Sequence, residues 1–144
     1  MGLNMKNFDF GDIKLGMSAE LVRQFTDEDV RLFAHVTGDN NPVHLDDEYA
    51  GKSMFKKKIA HGMLSASLFS ALLGTQLPGN GAIYISQSLK FKRPVYIGST
   101  VTACVTVKSV DAERRRVVLE TVGRVDGQIV VEGEAEMLVP QGES

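Results

Sequence analysis

The sequence predicts an α+β domain in which an antiparallel sheet wraps around one buried helix. Three observations carry that expectation. From Gly62 to Gly74 apolar residues fall on nearly every side of a helix, with serines as the polar breaks, and a helix apolar all round must be buried all round. From Ile83 to Val139 the apolar period changes to two, the mark of strands with one buried face. Helices and strands are segregated along the chain, as in α+β folds and unlike βαβ repeats.

The elements follow in order. Ala19 to Phe25 alternates weakly and reads as a first strand. Thr26 is placed as a helix N-cap with Asp29 at capping-box spacing, and Asp27, Glu28 and Asp29 load the first turn with the charge a helix N-terminus favours. Val30, Phe33, Ala34 and Thr37 follow at helical spacing, and Gly38 ends the helix. Asn41 and Pro42 suit the cap and first position of a second, short helix, expected to run through Asp46, Asp47 and Tyr49 and to stop near Gly51. The segment Leu77 to Gly81 is a turn by composition. One long strand follows, with Ile83, Ile85, Gln87, Leu89 and Phe91 on one face, ended or bulged by Pro94. Val101, Ala103, Val105 and Val107 mark the next strand, and Val117, Leu119 and Thr121 the one after it. Asp126-Gly127 signals a tight hairpin. In the last strand Ile129, Val131, Gly133, Ala135, Met137 and Val139 are expected inside, with Glu132, Glu134 and Glu136 in water.

Residues 1–144 read as a single domain, with a hydrophobic share of 43% and a charged share of 24%, both ordinary for a globular protein. The net charge of −2 argues against a nucleic-acid binder, which would carry a basic stripe. One cysteine, Cys104, permits no intramolecular disulfide, and no Cys/His cluster has zinc-ligand spacing. The opening residues 1–12 show no apolar leader, so a cytoplasmic protein is expected. Residues 59–89 contain no Lys, Arg, Asp or Glu, but their apolar run falls short of a membrane span.

Three features could carry chemistry. Asp39 lies just outside the short helix and His44 in its first turn, so a carboxylate and an imidazole can face one cleft and deprotonate a water. A structural turn, with Asp39 as a cap and His44 satisfied by a carbonyl, would show the same residues. His61-Gly62-Met63 opens the buried helix, where a free amide on a residue without a side chain can hold an oxygen gaining negative charge. A packing glycine is the plainer alternative. The uncharged helix and sheet face would offer a dry groove for an acyl chain, though any core looks the same.

Taken together, these segments resemble the MaoC-like family of (R)-specific 2-enoyl-CoA hydratases. Asp39, Asn41, Pro42 and His44 match its Asp-x-Asn-Pro-x-His motif, and His61, Gly62 and Met63 match the start of its central helix. Ser70 stands where a serine often supports the site. Phe91 to Val95 resembles the family's strand leading into a Pro-Val turn. The likeness runs from about Thr26 to Val139 and is closest to the short, single-domain hydratases that supply monomers for bacterial polyhydroxyalkanoate synthesis.

The resemblance implies a hot-dog fold and a homodimer. It implies syn hydration of trans-2-enoyl-CoA to (R)-3-hydroxyacyl-CoA by Asp39, His44 and the Gly62 amide, with Asn41 and Ser70 in support. No metal and no cofactor is expected beyond CoA as the substrate's carrier. Lys56, Lys57, Lys58, Lys90, Lys92 and Arg93 are candidates for the CoA phosphates. The rivals are dehydration of acyl-carrier-protein thioesters by the same residues, thioester hydrolysis, and non-catalytic acyl binding.

Overall fold

The computed structural model describes residues 5–140. The reading of the opening segment falls partly on residues 1–4, outside that range. Strand β1 (Ser18–Gln24) leads into helix α1 (Asp27–Thr37). The capping box is formed in full: the Thr26 hydroxyl accepts from Asp29 N at 3.2 Å, and Asp29 Oδ2 accepts from Thr26 N at 2.9 Å. Gly38 closes the helix at φ 80°, its N–H donating to Ala34 O, in the left-handed region that costs a glycine little.

The second helix is two helices rather than one. Helix α2 (Pro42–Leu45) stops at Asp46, and α3 (Asp47–Lys52) starts beyond it. Asp46 is extended at φ −121°, ψ 111°, and its carboxylate caps α3 by accepting from Glu48 N and Tyr49 N. A short acceptor side chain ahead of two acidic residues begins a new helix here instead of continuing the old one.

Helix α4 (Gly62–Thr75) is the helix on which the sheet closes. The strand order is β1, β4 (Thr100–Asp111), β5 (Arg116–Val125), β6 (Gln128–Leu138), β2 (Ile83–Gln87), and β3 (Lys90–Phe91) also pairs with β6. All pairings are antiparallel. Phe69, Leu72 and Leu73 are fully buried, as are Val101, Val105, Val117 and Leu119 of the facing strands, and each such side chain contributes about 1.5–3 kcal/mol by leaving water. The hairpin at Asp126-Gly127 has positive φ at both residues, 51° and 77°, as a type I′ turn requires.

The sheet covers less of α4 than its composition suggests. Met63, Ser67 and Ser70 are exposed, a stripe at helical spacing on the side where β2 lies. The strand expected over Ile83 to Phe91 is broken into β2 and β3, with a register shift between Tyr84 and Ser86. A Cβ on Gly133 of β6 would lie 1.8 Å from the Ser88 carbonyl oxygen, so at the break the two backbones touch where only glycine fits. Val130, not Ile129, is buried on β6. The register shifts opposite Gly123 and Arg124, where Val130 has no partner, and the extra residue turns it inward.

Candidate active site

Local cap geometry and backbone hydrogen bonds bring two distant segments together. Asp39 follows the glycine that ends α1. Its N–H donates to Thr37 Oγ1 at 3.1 Å and its Oδ1 accepts from Asn41 N at 3.3 Å. Asn41 Oδ1 in turn accepts from Val43 N at 3.2 Å, capping α2. Asn41 thus caps the one-turn helix that carries His44. The second segment, just before α4, is held by Ile59 N donating to Val43 O and Ala60 N to Val95 O.

His44 is buried, and its Nδ1 lies 2.7 Å from the Ile59 carbonyl oxygen. A carbonyl can only accept, so Nδ1 carries the proton and Nε2 offers a lone pair. His61, the residue before α4, is 2% exposed. Its Nε2 is 3.0 Å from the backbone oxygen of Asp39 and, by the same argument, donates to it. The two imidazoles stack with centroids 3.9 Å apart at 29°, and Phe33 packs on His61 at 4.8 Å. His61 thus ties the chain at Asp39 to the start of α4 and forms the wall behind His44. The motif marked His61 only as the residue before Gly62; a spacing of 17 residues from His44 gives no hint of the stacking.

Burial pushes the His44 imidazole below the usual 6.5, and the neighbouring His61 adds to this; the Ile59 carbonyl and the Asp39 carboxylate pull the other way without overcoming it. Ring nitrogens of both histidines and the Asp39 carboxylate lie within 4.8 Å of one another. One water making two hydrogen bonds of about 2.8 Å can bridge such a gap. The same three groups are close enough for a divalent cation. The carbonyls of Ile59 and Asp39 engage one nitrogen of each ring and leave the other with its lone pair.

Asp39, His44, His61 and Gly62 line one cleft of about 440 Å³, closed by Phe91, Val95, Val130 and Val131. Among the described residues no partner takes the Gly62 N–H, the first of α4, and it points from the positive end of a helix of 14 residues. A Cβ on Gly62 would lie 2.7 Å from the ring of Phe91, so the phenyl group rests directly on this glycine.

The remaining candidates divide. Lys92 and Arg93 line the cleft, and Lys92 also reaches Glu132 at 3.5 Å. Lys90, Lys56 and Lys57 are exposed outside the lining, with Lys57 Nζ 5.5 Å above the Tyr96 ring. Lys58 has a different job. Its side chain is 14% exposed and clamps Asp27 at 2.8 Å and Asp47 at 3.7 Å, holding the Asp27 carboxyl below its usual range together with Arg31. It joins α1 to α3 and has no charge to spare for a phosphate. Ser70 faces a second groove, with Phe33, Tyr84 and Leu89, which meets the first at Met63. The serine inside the Asp39 cleft is Ser65, one turn into α4.

A sequence profile described as "MaoC like domain" matches residues 11–128. An (R)-specific enoyl-CoA hydratase of Rhodospirillum rubrum is 53% identical over 131 residues, 91% of each chain. Among solved structures, an (R)-hydratase from Aeromonas caviae involved in PHA biosynthesis superposes with a TM-score of 0.88 at 43% identity, covering 90% of this chain and 98% of that one. An R-hydratase from Pseudomonas aeruginosa gives 0.89 at 42%, covering 94% and 88%.

Proposed function

The chain belongs to the MaoC-like domain family, and from that premise we propose that it is an (R)-specific enoyl-CoA hydratase, a hydro-lyase of hot-dog fold. The observation that carries the reading is the Asp39 carboxylate within 4.8 Å of a ring nitrogen of His44, whose Nδ1 is held by the Ile59 carbonyl, in one cleft with the free N–H of Gly62. A water held by the pair loses a proton to Asp39 as its oxygen attacks C3 of the enoyl thioester. His44 orients and polarises that water. The electrons of the C2–C3 double bond move onto the thioester oxygen, which the Gly62 N–H stabilises. The enolate then takes the proton from the pair at C2, on the face the water entered, and the addition is syn. One water is added and no electron is gained or lost, so the step calls for no redox cofactor, and Asp39, His44 and the Gly62 N–H supply the proton transfer and charge stabilisation that it needs.

The test is hydration of crotonyl-CoA with EDTA present and chiral analysis of the product. The expected product is (R)-3-hydroxybutyryl-CoA; release of free CoA without hydration, or no reaction, would remove this reading.

The pH dependence follows from the His44 environment. Accepting a water hydrogen needs the neutral ring, and burial already favours it. kcat/KM should therefore not fall with acid until below pH 6.5. Stability has the same sign. The unfolded histidine takes a proton first, so the folded state loses stability as pH drops from 6.5 toward the lower folded value. Activity that declines on acidification well above pH 6.5 would contradict a buried, neutral His44.

Lys92 and Arg93, exposed along the cleft, are the proposed partners of the CoA phosphates. Neutralising both should raise KM by about tenfold with little change in kcat, because they touch the carrier equally in ground and transition states. An unchanged KM at low salt would exclude them.

We also place the working form as a homodimer in the cytoplasm. The support for the dimer is the β2 edge, which among the described residues pairs only with β6 and leaves Ile83, Tyr84 and Ile85 exposed. An open apolar edge is commonly closed by a second subunit. Among the described residues no helix is long and apolar enough to cross a membrane. Light scattering should give twice the chain mass of 15.7 kDa; the monomer mass at micromolar concentration would be the contrary result.

A further inference from the structure

Asp39 stands on an exposed stretch, Gly38 to Asn41, and most of what holds it is local. Its N–H donates to Thr37 Oγ1 and its Oδ1 accepts from Asn41 N, each bond reaching only two residues along the chain. Among the described residues one hydrogen bond ties Asp39 to a distant part of the fold: Nε2 of His61, 22 residues on, donates to its backbone oxygen at 3.0 Å. The His61 ring is buried, with the rings of His44 and Phe33 packed on it, and the next residue is Gly62. One side chain therefore joins the segment of the carboxylate to the amide that opens α4. Keeping an imidazole here has a cost. Nδ1 of His61 is buried, closed to water and without a hydrogen-bond partner among the described residues. Since Nε2 carries the proton, Nδ1 is an acceptor left unpaired, which works against folding. An apolar side chain of similar length would avoid that cost, but it would lack the N–H that meets the Asp39 oxygen.

Resting on the hydratase reading, we propose that His61 is a positioning residue whose N–H sets the place of Asp39 relative to Gly62, and so the spacing between the general base and the oxyanion donor. Water attacks C3 while charge collects on the thioester oxygen of the same substrate. The carboxylate and the amide must therefore be in register with each other as well as with the substrate. A displacement of about 1 Å in such an arrangement can cost about a hundredfold in rate. In the same reading the carrier is held at Lys92 and Arg93, on the other side of the cleft lining from this tether. Loss of the tether should thus be felt in turnover and not in binding.

The test is a matched pair, His61→Gln and His61→Met, assayed for crotonyl-CoA hydration with thermal midpoints measured alongside. Both side chains are unbranched and of equal length, and both give up the ring stack on His44. Only glutamine can donate to the Asp39 oxygen. The methionine variant should have a kcat about tenfold or more below the glutamine variant, with KM within about threefold, the split of an interaction that serves turnover rather than binding. Its midpoint should equal or exceed that of the glutamine variant, since methionine leaves no buried polar atom unpaired. Activity and stability then run in opposite directions, whereas a histidine that served packing alone would make them run together. Equal kcat in the two variants, or a methionine variant that does not fold, overturns the proposal. A wild type that does not hydrate crotonyl-CoA contradicts the hydratase reading itself; a wild type that does, with the two variants alike, removes only the tether.

Discussion

Asp39→Asn and His44→Gln should each lower kcat for crotonyl-CoA hydration by about 10²–10⁴, the scale of a lost general acid–base group. Both substitutions spare the scaffold. Asparagine keeps an oxygen for the Asn41 N–H that Asp39 now accepts, but it cannot take a proton from water. Glutamine keeps an N–H for the Ile59 carbonyl that His44 Nδ1 now meets, but it does not reproduce the imidazole that orients the water. Circular dichroism and thermal midpoints should stay close to wild type while turnover collapses. Near-normal turnover in either variant would leave these residues as a capped turn and a satisfied core histidine.

Gly62→Val should lower kcat by about 10²–10³, the loss typical of one oxyanion donor. The effect is steric, since the amide remains. A side chain at Gly62 enters the space now filled by the Phe91 ring and stands over the N–H that the thioester oxygen must approach. Stability should change little. Phe91 is 54% exposed and can turn aside, and valine is a better helix former than glycine. Turnover and thermal midpoint measured on the same preparation separate the two roles. If turnover falls only as far as unfolding explains, Gly62 serves packing against Phe91 and not catalysis.

Much of this geometry was legible where local physics decides it. Thr26 and Asp29 announce a capping box, Gly38 a left-handed stop, and Asp126-Gly127 a hairpin, because each depends on a few neighbouring residues. The alternation of Val101, Ala103, Val105 and Val107 marks the buried face of β4 for the same reason. The break between α2 and α3 had a local signal too, Asp46 ahead of Asp47 and Glu48, which competes with the helical pattern around it. What could not be read is contact between distant segments. The close approach of Gly133 to Ser88 splits β2 from β3, and an unpaired Val130 shifts which side of β6 faces inward. Within the site, Asp39, His44 and Gly62 stand out by motif. The stacking of His61 on His44, the diversion of Lys58 to Asp27 and the presence of Ser65 rather than Ser70 in the cleft depend on tertiary placement alone.

The central claim is that Asp39 and His44 activate a water that adds to an enoyl thioester from one face. It is tested most directly by hydrating crotonyl-CoA in D₂O and determining the configuration at C2 and C3 of the product by NMR. The account predicts an (R)-hydroxyl at C3 and a single deuterium at C2 on the same face, formed by the wild type and lost with Asp39→Asn. Anti placement of the deuterium, an (S)-hydroxyl, or CoA released from unhydrated substrate would contradict it.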